Sequence, residues 1–468
     1  MYSEVKECIH LIMRSLVNTK LLSFQLSYYN IHMYWLFSEL RKMWNDLLTV
    51  VHSPTKISSL LNIPLYSNAL YMMLSSVSYY LFGFVFWIIA ARLYTTEAVG
   101  IVSAISSAVG LLEMLSVLDL GYGLIRFLKS NNNPHKLINS SFTLTGLISL
   151  GAAAIFVIGL RIWSPSLIIL RENHYYLAVF LLIVPVQVLD DLTDQVMMAG
   201  RQAKFMLIHS LVFNILRLAL LVMLAALIGS FGIFVSVSAA TFIALLVAVF
   251  LLMPRAQPGY RPFFTLDRKI MSEMLSFSFL NYVGDLFWAL PGLILPIIVI
   301  NLLGAENNAY YYVTWAMSSI LTLIPVAVAT SLLAEGAYEE AKLKNHISRS
   351  LKMTAVLLVP AIIIVWFLSN KVLLLYGGLY AKNGTTLLHW LAIASVPLAI
   401  NTIYFSIKRV QKNVKPFILL ASFMAIIVVV MSYLLLPRMG INGVGIAWLA
   451  GQSVIAFIVI IWDMRHLI

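Results

Sequence analysis

The clearest indication of the fold is the segment FMLIHSLVFNILRLALLVMLAALIGSFGIFVSVSAATFIALLVAVFLLM, residues 205–253. It holds two apolar runs, 205–228 and 231–253, and Arg217 is the only lysine, arginine, aspartate or glutamate in it. A helix of about 20 mostly apolar residues crosses about 30 Å of hydrocarbon. Strands of a membrane barrel would alternate apolar and polar residues, which these runs do not. Each run therefore predicts a membrane-spanning α-helix.

The rest of the chain continues this pattern. Of its 468 residues, 61% are hydrophobic and 11% charged, and the mean hydropathy is +0.92. Soluble domains are typically about 45–50% apolar and about 25% charged. Ten further runs, with ends predicted to within about four residues, are 69–90, 99–118, 142–162, 175–197, 277–301, 309–333, 351–369, 386–407, 416–436 and 442–462. We therefore predict an all-α polytopic membrane protein with about twelve transmembrane helices.

The distribution of lysine and arginine predicts the orientation. Twenty-four of the 31 basic residues fall in segments that lie on one side if the N-terminus is inside, and six fall on the other side. Cytoplasmic loops carry such an excess, so we predict a cell-membrane protein with both termini in the cytoplasm. The net charge of +12 follows from this topology, and we expect no nucleic-acid partner.

The loops between the predicted spans limit the function. No outer loop exceeds about 20 residues, the inner loops 254–276 and 334–350 are too short for a nucleotide-binding domain, and no G-x-x-x-x-G-K-[ST] motif occurs. We therefore expect neither ATP-driven transport by this chain alone nor an extracytoplasmic catalytic domain. Residues 1–65 hold no spanning run and mix aromatic with charged residues. They are read either as helices on the membrane surface or as an extension without a role.

An internal repeat recurs at an offset of about 210 residues. Thr96–Gly100 opens the second span and Ala305–Ala309 the eighth. Arg201–Phe205 precedes the fifth span, and Lys412–Phe417 precedes the eleventh. Gly229–Ile233 and Gly440–Val444 separate the last two spans of each half. Two six-helix halves of the same orientation are an architecture of secondary transporters, which bind substrate between the halves. We predict an extension over 1–65, a first lobe over 66–255 and a second over 256–468.

Residues 91–128, ARLYTTEAVGIVSAISSAVGLLEMLSVLDLGYGLIRFL, carry a family resemblance. They resemble the second-helix region of polysaccharide biosynthesis proteins, which are oligosaccharide flippases of the multidrug/oligosaccharidyl-lipid/polysaccharide (MOP) exporter superfamily. The matching positions are Glu97, Gly100, the Asp-Leu-Gly turn at 119–121 and Arg126. LLGAENNAYYYVTWA, 302–316, resembles the second-half counterpart, although Ala309 stands where glycine is usual. The resemblance covers about 60–468.

The resemblance implies a two-lobed bundle with a central cavity that works by alternating access. Its substrate would be a polyprenyl-(di)phosphate-linked oligosaccharide, with membrane lipid, a glycan polymerase and glycosyltransferases as partners. No covalent chemistry and no cofactor are expected beyond a coupling Na⁺ or H⁺. One alternative is a cation-coupled multidrug exporter of the same superfamily. Two others are a membrane prenyltransferase and a scaffold of glycan assembly that transports nothing.

Charged residues inside or beside the spans are the candidates for binding, because such residues are costly in lipid and usually face a cavity. We assign Arg126 and Arg217 to the phosphate, and Asp119 and Glu113 to the same substrate site. Cations offset the charge of a phosphate, and polar side chains replace the hydration of a sugar. The alternative for each arginine is an ion pair with a neighbouring carboxylate or a side chain that reaches the membrane surface.

Asp285 is the candidate for ion coupling or gating, and it is followed by Pro291 and Pro296 in the same span. Each proline removes a backbone donor, so the pair predicts a bent helix that rocks as a gate. Asp285 would bind the coupling Na⁺ or H⁺. The alternative is a structural, hydrogen-bonded aspartate.

The run Asp190-Asp191-Leu192-Thr193-Asp194 allows two readings. Carboxylates one turn apart can share Mg²⁺, as a prenyltransferase requires, but no second acidic motif accompanies them. We favour interfacial carboxylates paired with Arg201 and Lys204. His209 and His389 are interpreted as structural, and no metal site is predicted. The aromatics at span starts are mostly assigned to the membrane interface, and stacking on sugars is the alternative for some of them: Tyr175, Tyr176, Tyr310, Tyr311, Tyr312 and Trp315.

Overall fold

The structure, a computed structural model, describes residues 64–129, 131, 133–338 and 343–464. Twelve long helices in the described part of the chain are long and apolar enough to span a membrane. The first six are α1 Pro64–Leu93, α2 Thr96–Val117, α3 Pro134–Ile158, α4 His174–Ala199, α5 Ala203–Ile228 and α6 Phe231–Val247. The last six are α7 Arg268–Leu303, α8 Ala305–Tyr338, α9 Leu343–Leu374, α10 Gly378–Val410, α11 Lys415–Met439 and α12 Asn442–Val459. The predictions for residues 1–63 lie outside the described residues.

Capping side chains set the starts of several helices. The Thr95 hydroxyl accepts a hydrogen bond from the backbone N–H of Ala98 at the start of α2. Asn173 caps α4 in the same way, and Asp267 caps α7. Such caps satisfy backbone donors that have no partner within the helix. Helix boundaries are therefore decided by local polar residues as well as by hydropathy.

The prediction of twelve spans is confirmed, but three predicted starts are eight residues late. α3 begins at Pro134 rather than 142, α9 at Leu343 rather than 351, and α10 at Gly378 rather than 386. Hydropathy detects the length that matches the hydrocarbon layer, whereas backbone hydrogen bonds continue a helix beyond that layer into polar sequence. The loop predicted over 254–276 is shorter for the same reason, because α7 begins at Arg268.

The internal repeat is visible in the backbone as well as in the sequence. Arg201 and Lys412, which precede α5 and α11, both have a left-handed backbone with φ of 56° and 55°. Gly229 and Gly440 end the same two helices with φ of 52° and 59°. Each half also closes on a π-helical turn, over Ala248–Leu252 and Ile460–Met464. The exact lobe limits, 66–255 and 256–468, stay a prediction.

The two halves contact each other at the end of the bundle where α2 and α8 begin. The Asn308 side-chain amide donates to the carbonyl of Gly100 (2.7 Å) and to the hydroxyl of Ser103 (3.0 Å). Arg92 donates to the carbonyls of Leu374 and Leu375 at 2.7 and 2.9 Å. These contacts seal the halves together at this end, which the charge bias predicts to be the outer one.

α7 runs as one helix from Arg268 to Leu303, through both Pro291 and Pro296. The N-cap residue of α7, Asp267, contacts α3. The Lys136 ammonium forms an ion pair with Asp267 at 2.7 Å, and the backbone N–H of Asp267 donates to Ser140. The hydrogen-bonded Lys136 ammonium is the main reason why the pKa of Asp267 lies below its usual value, and backbone hydrogen bonds at the helix start contribute less. The gating role of the two prolines stays a prediction.

Candidate functional site

The first half of the chain holds a cavity of about 400 Å³, and α8 contributes one wall residue, Tyr312. Its polar and charged lining consists of Ser106, Glu113, Gln187, Asp190, Asp191, Asp194, His209, Ser210, Arg217 and Ser238. Its aromatic lining consists of Tyr79, Phe86, Trp87, Phe213, Phe234 and Tyr312. A concave site with aromatic walls and convergent polar groups is the usual form of a ligand-binding pocket. The cavity therefore is the candidate binding site.

Arg217 occupies an aromatic cage in this cavity. Its side chain is 6% exposed, and its guanidinium carbon lies 5.4 Å from the ring centres of Tyr79 and Phe86 and 4.8 Å from that of Phe213. One terminal nitrogen donates to the Tyr79 carbonyl at 3.3 Å, and no carboxylate in the described residues pairs with it. Cation–π contacts stabilise an arginine without neutralising it. Neither alternative considered for Arg217, a carboxylate partner or a reach to the membrane surface, is what the structure shows.

His209 bridges two of the carboxylates in the same cavity. Its side chain is 2% exposed, Nδ1 lies 2.8 Å from Asp194 Oδ1, and Nε2 lies 3.0 Å from Asp190 Oδ1. The prediction that Asp190 and Asp194 pair with Arg201 and Lys204 is therefore wrong. The structural interpretation of His209 stays a prediction. The pairing follows from the α4–α5 hairpin, because residues equally far from a tight turn meet across antiparallel helices. Asp194 lies five residues before the end of α4, and His209 lies six after the start of α5.

His209→Ala is expected to destabilise the protein strongly. The change leaves Asp190 and Asp194 close together without a positive partner, and breaking a buried pair in this way costs about 3–5 kcal/mol. Thermal unfolding in detergent measures the effect. Adding Asp190→Asn and Asp194→Asn to the variant removes the repulsion and is expected to restore most of the stability. An unchanged melting temperature in His209→Ala would contradict the bridge.

Glu113 and Asp191 have no cationic partner in the described part of the chain. Glu113 accepts a hydrogen bond from Gln187, and Asp191 accepts one from Gln195. Both carboxylates line the cavity, and each lies close enough to the other for electrostatic repulsion. Within the described residues no three His, Cys, Asp or Glu side chains are placed to hold a metal ion.

A second, smaller cavity of about 190 Å³ lies between helices of the second half. The Arg409 guanidinium at the end of α10 forms an ion pair with Asp285 of α7 and stacks on Phe417, with 4.8 Å from its carbon to the ring centre. This pair supplies the countercharge that a coupling cation at Asp285 would have to displace. A role of Asp285 in ion binding stays a prediction.

Asp119 faces this ion pair from the short helix Leu120–Phe127 of the first half. Its backbone is left-handed, with φ of 55°, and its Oδ2 atom is buried without a hydrogen-bond partner in the described residues. Burial raises the pKa of the Asp119 carboxyl to about 7, repulsion by Asp285 adds to the shift, and Arg409 opposes it. Asp119 therefore lies close enough to the ion pair of the second half to interact with it electrostatically.

Asp119→Asn is expected to flatten the pH dependence of stability between about pH 4 and pH 7. Because the folded pKa lies above the unfolded value, the folded state holds a proton that the unfolded state has lost, and stability falls as pH rises through this range. Asparagine carries no charge and tolerates the left-handed backbone. Melting temperatures at pH 5 and pH 8 measure the effect. The advantage of the variant should widen toward pH 8, and a constant difference would contradict the raised pKa.

Arg126 and several of the aromatic residues singled out in the sequence lie outside the cavity. The Arg126 side chain is exposed, lies 5.7 Å from the ring centre of Phe127, and does not line the cavity. Tyr310 and Tyr311 are buried at 5% and 0% exposure. The interface assignment is wrong for both, because α8 packs against α2 and α10 and covers their rings. Tyr175 is 76% exposed, as expected of an interface residue.

The sequence and the fold of this chain are both similar to those of known proteins. Residues 65–335 match the family model of polysaccharide biosynthesis proteins. No curated protein matches the chain by sequence. The fold is similar to that of the lipid II flippase MurJ in an inward closed conformation, with a TM-score of 0.69 and 14% identity over 85% of this chain and 89% of that one.

Two further solved structures share the fold. An inward-facing multidrug resistance MATE family transporter of the MOP superfamily gives a TM-score of 0.64 and 14% identity, over 83% of this chain and 94% of that one. A MOP superfamily transporter from Pyrococcus furiosus gives a TM-score of 0.61 and 13% identity, over 86% and 96%. The protein is thus a multi-pass membrane protein with the MATE/MurJ fold. It belongs to the polysaccharide biosynthesis protein family.

Proposed function

We propose that this protein flips a polyprenyl-(di)phosphate-linked oligosaccharide across the cytoplasmic membrane during glycan biosynthesis. The observation that carries the proposal is Arg217, a buried guanidinium that faces a polar cavity and has no carboxylate partner in the described residues. A guanidinium that forms no ion pair can bind an anion through direct, charge-assisted hydrogen bonds, which are stronger than neutral ones. A phosphate linked to a glycan is the anion that fits a protein of the polysaccharide biosynthesis family.

The excess of basic residues in alternate loops supports an orientation with both termini in the cytoplasm. In that orientation the end sealed by Asn308 and Arg92 faces outward, and the carboxylates of the cavity lie nearer the cytoplasm than Arg217 does. Asp194 lies near the end of α4 and His209 near the start of α5, whereas Arg217 lies at mid-helix. A head group entering from the cytoplasm would meet the carboxylates and His209 first and place its phosphate deepest.

The polar lining supplies the other requirement of flipping, which is to replace the water around a sugar. Carboxylates accept hydrogen bonds from sugar hydroxyls, and the amide of Gln187 both donates and accepts. Aromatic walls such as Trp87 and Tyr312 offer apolar faces on which sugar rings pack. Opening of the sealed end and closing of the other would complete alternating access.

Leaflet exchange in reconstituted vesicles tests the proposal. The purified chain is reconstituted with a fluorescent polyprenyl-diphosphate-linked oligosaccharide, and a membrane-impermeant quencher or glycosidase reports the fraction in the outer leaflet over time. Exchange well above that of protein-free vesicles is expected, and Na⁺ and H⁺ gradients applied separately identify a coupling ion. No exchange under any gradient would contradict a flippase.

One observation favours a second candidate, a cation-coupled exporter. Four carboxylates line the cavity against one arginine and one histidine, and acidic pockets suit cationic solutes. The same vesicles distinguish the two functions, because an exporter would move a water-soluble organic cation down or against an ion gradient without moving the labelled lipid. A prenyltransferase has less support, because the similar solved structures are transporters and flippases. Association with a glycan polymerase or glycosyltransferases stays a proposal.

A further inference from the structure

The charges that line the cavity do not balance. His209 and its two aspartates carry a net charge of −1 in either of two protonation states. The first is an imidazolium with two carboxylates, and the second is a neutral imidazole with one carboxylic acid and one carboxylate. Arg217 adds +1 and cancels it. Glu113 and Asp191 then remain, each held by a glutamine amide and neither by a cation in the described residues. A pair of half-buried carboxylates without a counterion needs a cationic partner or bound protons.

Two buried groups in the same wall lack partners of their own. The Nε of Arg217 and the hydroxyl of Ser238 are buried without a hydrogen bond to any described residue, and their side chains are 6% and 7% exposed. Both residues line the cavity. Buried donors are almost always satisfied in folded proteins, so these two groups point to a ligand that accepts hydrogen bonds. The wall of the cavity thus contains a guanidinium nitrogen and a hydroxyl without hydrogen-bond partners, together with excess negative charge.

We infer that the cavity recognises a zwitterionic head group, a sugar phosphate whose sugar carries a free amino group. The phosphate oxygens accept hydrogen bonds from Arg217 and Ser238, and the ammonium group donates to Glu113 and Asp191. The inference rests on the proposed flippase function and names the class of its substrate. The volume of about 400 Å³ falls in the range of small-molecule sites, about 300–1,000 Å³.

This arrangement predicts selection against the acetylated sugar. An N-acetyl group is neutral and bulkier than an ammonium, so it leaves the two carboxylates uncompensated and adds atoms to a confined space. A site that loses a charged hydrogen bond and retains buried unpaired groups discriminates strongly against the wrong ligand. We expect a preference of about tenfold or more for the free amine.

The test uses soluble head groups and the full-length protein in detergent, so it does not depend on transport. Glucosamine 1-phosphate, N-acetylglucosamine 1-phosphate and glucose 1-phosphate are compared by calorimetry or thermal shift near neutral pH. Glucosamine 1-phosphate is expected to bind at least tenfold more tightly than the other two. The combined Glu113→Gln and Asp191→Asn variant is expected to lose that preference while it still binds glucose 1-phosphate. Glu97→Gln changes an exposed acid on the same helix and should keep the preference.

Equal binding of the three sugar phosphates by the parent protein would overturn the inference, as would a preference that survives in the Glu113→Gln and Asp191→Asn variant. Binding of none of them at millimolar concentration would overturn it too. A clear binding preference in a protein that exchanges no labelled lipid would support the site and contradict the flippase.

Discussion

Gly100→Ala is expected to separate the two halves of the bundle at their sealed end. A Cβ atom on Gly100 would lie 1.7 Å from the backbone carbonyl oxygen of Ala305, a distance that no rotamer change can relieve. The same glycine accepts the hydrogen bond from Asn308 through its carbonyl. α2 and α8 must therefore move apart and break this bond. Overpacking of this kind costs about 1–3 kcal/mol or more, which corresponds to a clear fall in melting temperature.

Reactivity of a buried cysteine measures the separation directly. Cys8 is first replaced by serine, and Ser103→Cys then places a thiol at a position that is 0% exposed in the seal. A water-soluble maleimide should leave this thiol unmodified in the parent and label it in the Gly100→Ala background. Gly151→Ala is the matched control, because a Cβ there meets nothing within 4 Å. Labelling that is equally slow in both glycine variants would contradict the seal.

Arg217→Ala is expected to slow lipid flipping strongly, with the protein still inserted and folded. A hydrogen bond to a charged group contributes about 1.5–3 kcal/mol, so loss of the guanidinium should slow exchange about tenfold to a hundredfold. Arg217→Lys keeps the charge but has no planar fork to fill the cage of Tyr79, Phe86 and Phe213. It should retain part of the activity. Initial exchange rates in the reconstituted vesicles, normalised to the amount of folded protein, give the comparison.

Two further arginines make this experiment specific. Arg161→Ala removes an exposed charge on the sealed side of the bundle and should leave the rate unchanged. The sequence also predicts that Arg126 binds the phosphate, so that Arg126→Ala would lose flipping. If Arg126→Ala fails and Arg217→Ala flips normally, the phosphate is bound at the short helix Leu120–Phe127 and the cavity assignment is wrong.

Several members of the site were predictable from the sequence because lipid makes charge costly. Glu113, Arg217 and the three aspartates stand out in apolar spans, and all of them line the first cavity. His209 was missed as a partner of these residues, although the hairpin between α4 and α5 contained the signal. Ser238 and Trp87 were not predicted as lining residues, since serine and aromatic side chains are common in apolar spans and nothing in their spacing marks a cavity.

The membrane fold, the number of spans and the internal duplication could be predicted from the amino-acid sequence alone. Those properties depend on hydropathy summed over about 20 residues and on repeated turns, both of which are local in the chain. The pairing of the charges could be read only from the three-dimensional structure. In the structure Arg217 lies in an aromatic cage, and Asp285 forms an ion pair with Arg409. Glu113 and Asp191 have no cationic partner among the described residues. Electrostatic pairing depends on distances between helices far apart in sequence, and a few ångströms in a low-dielectric interior decide whether a charge is neutralised or is left to bind a ligand.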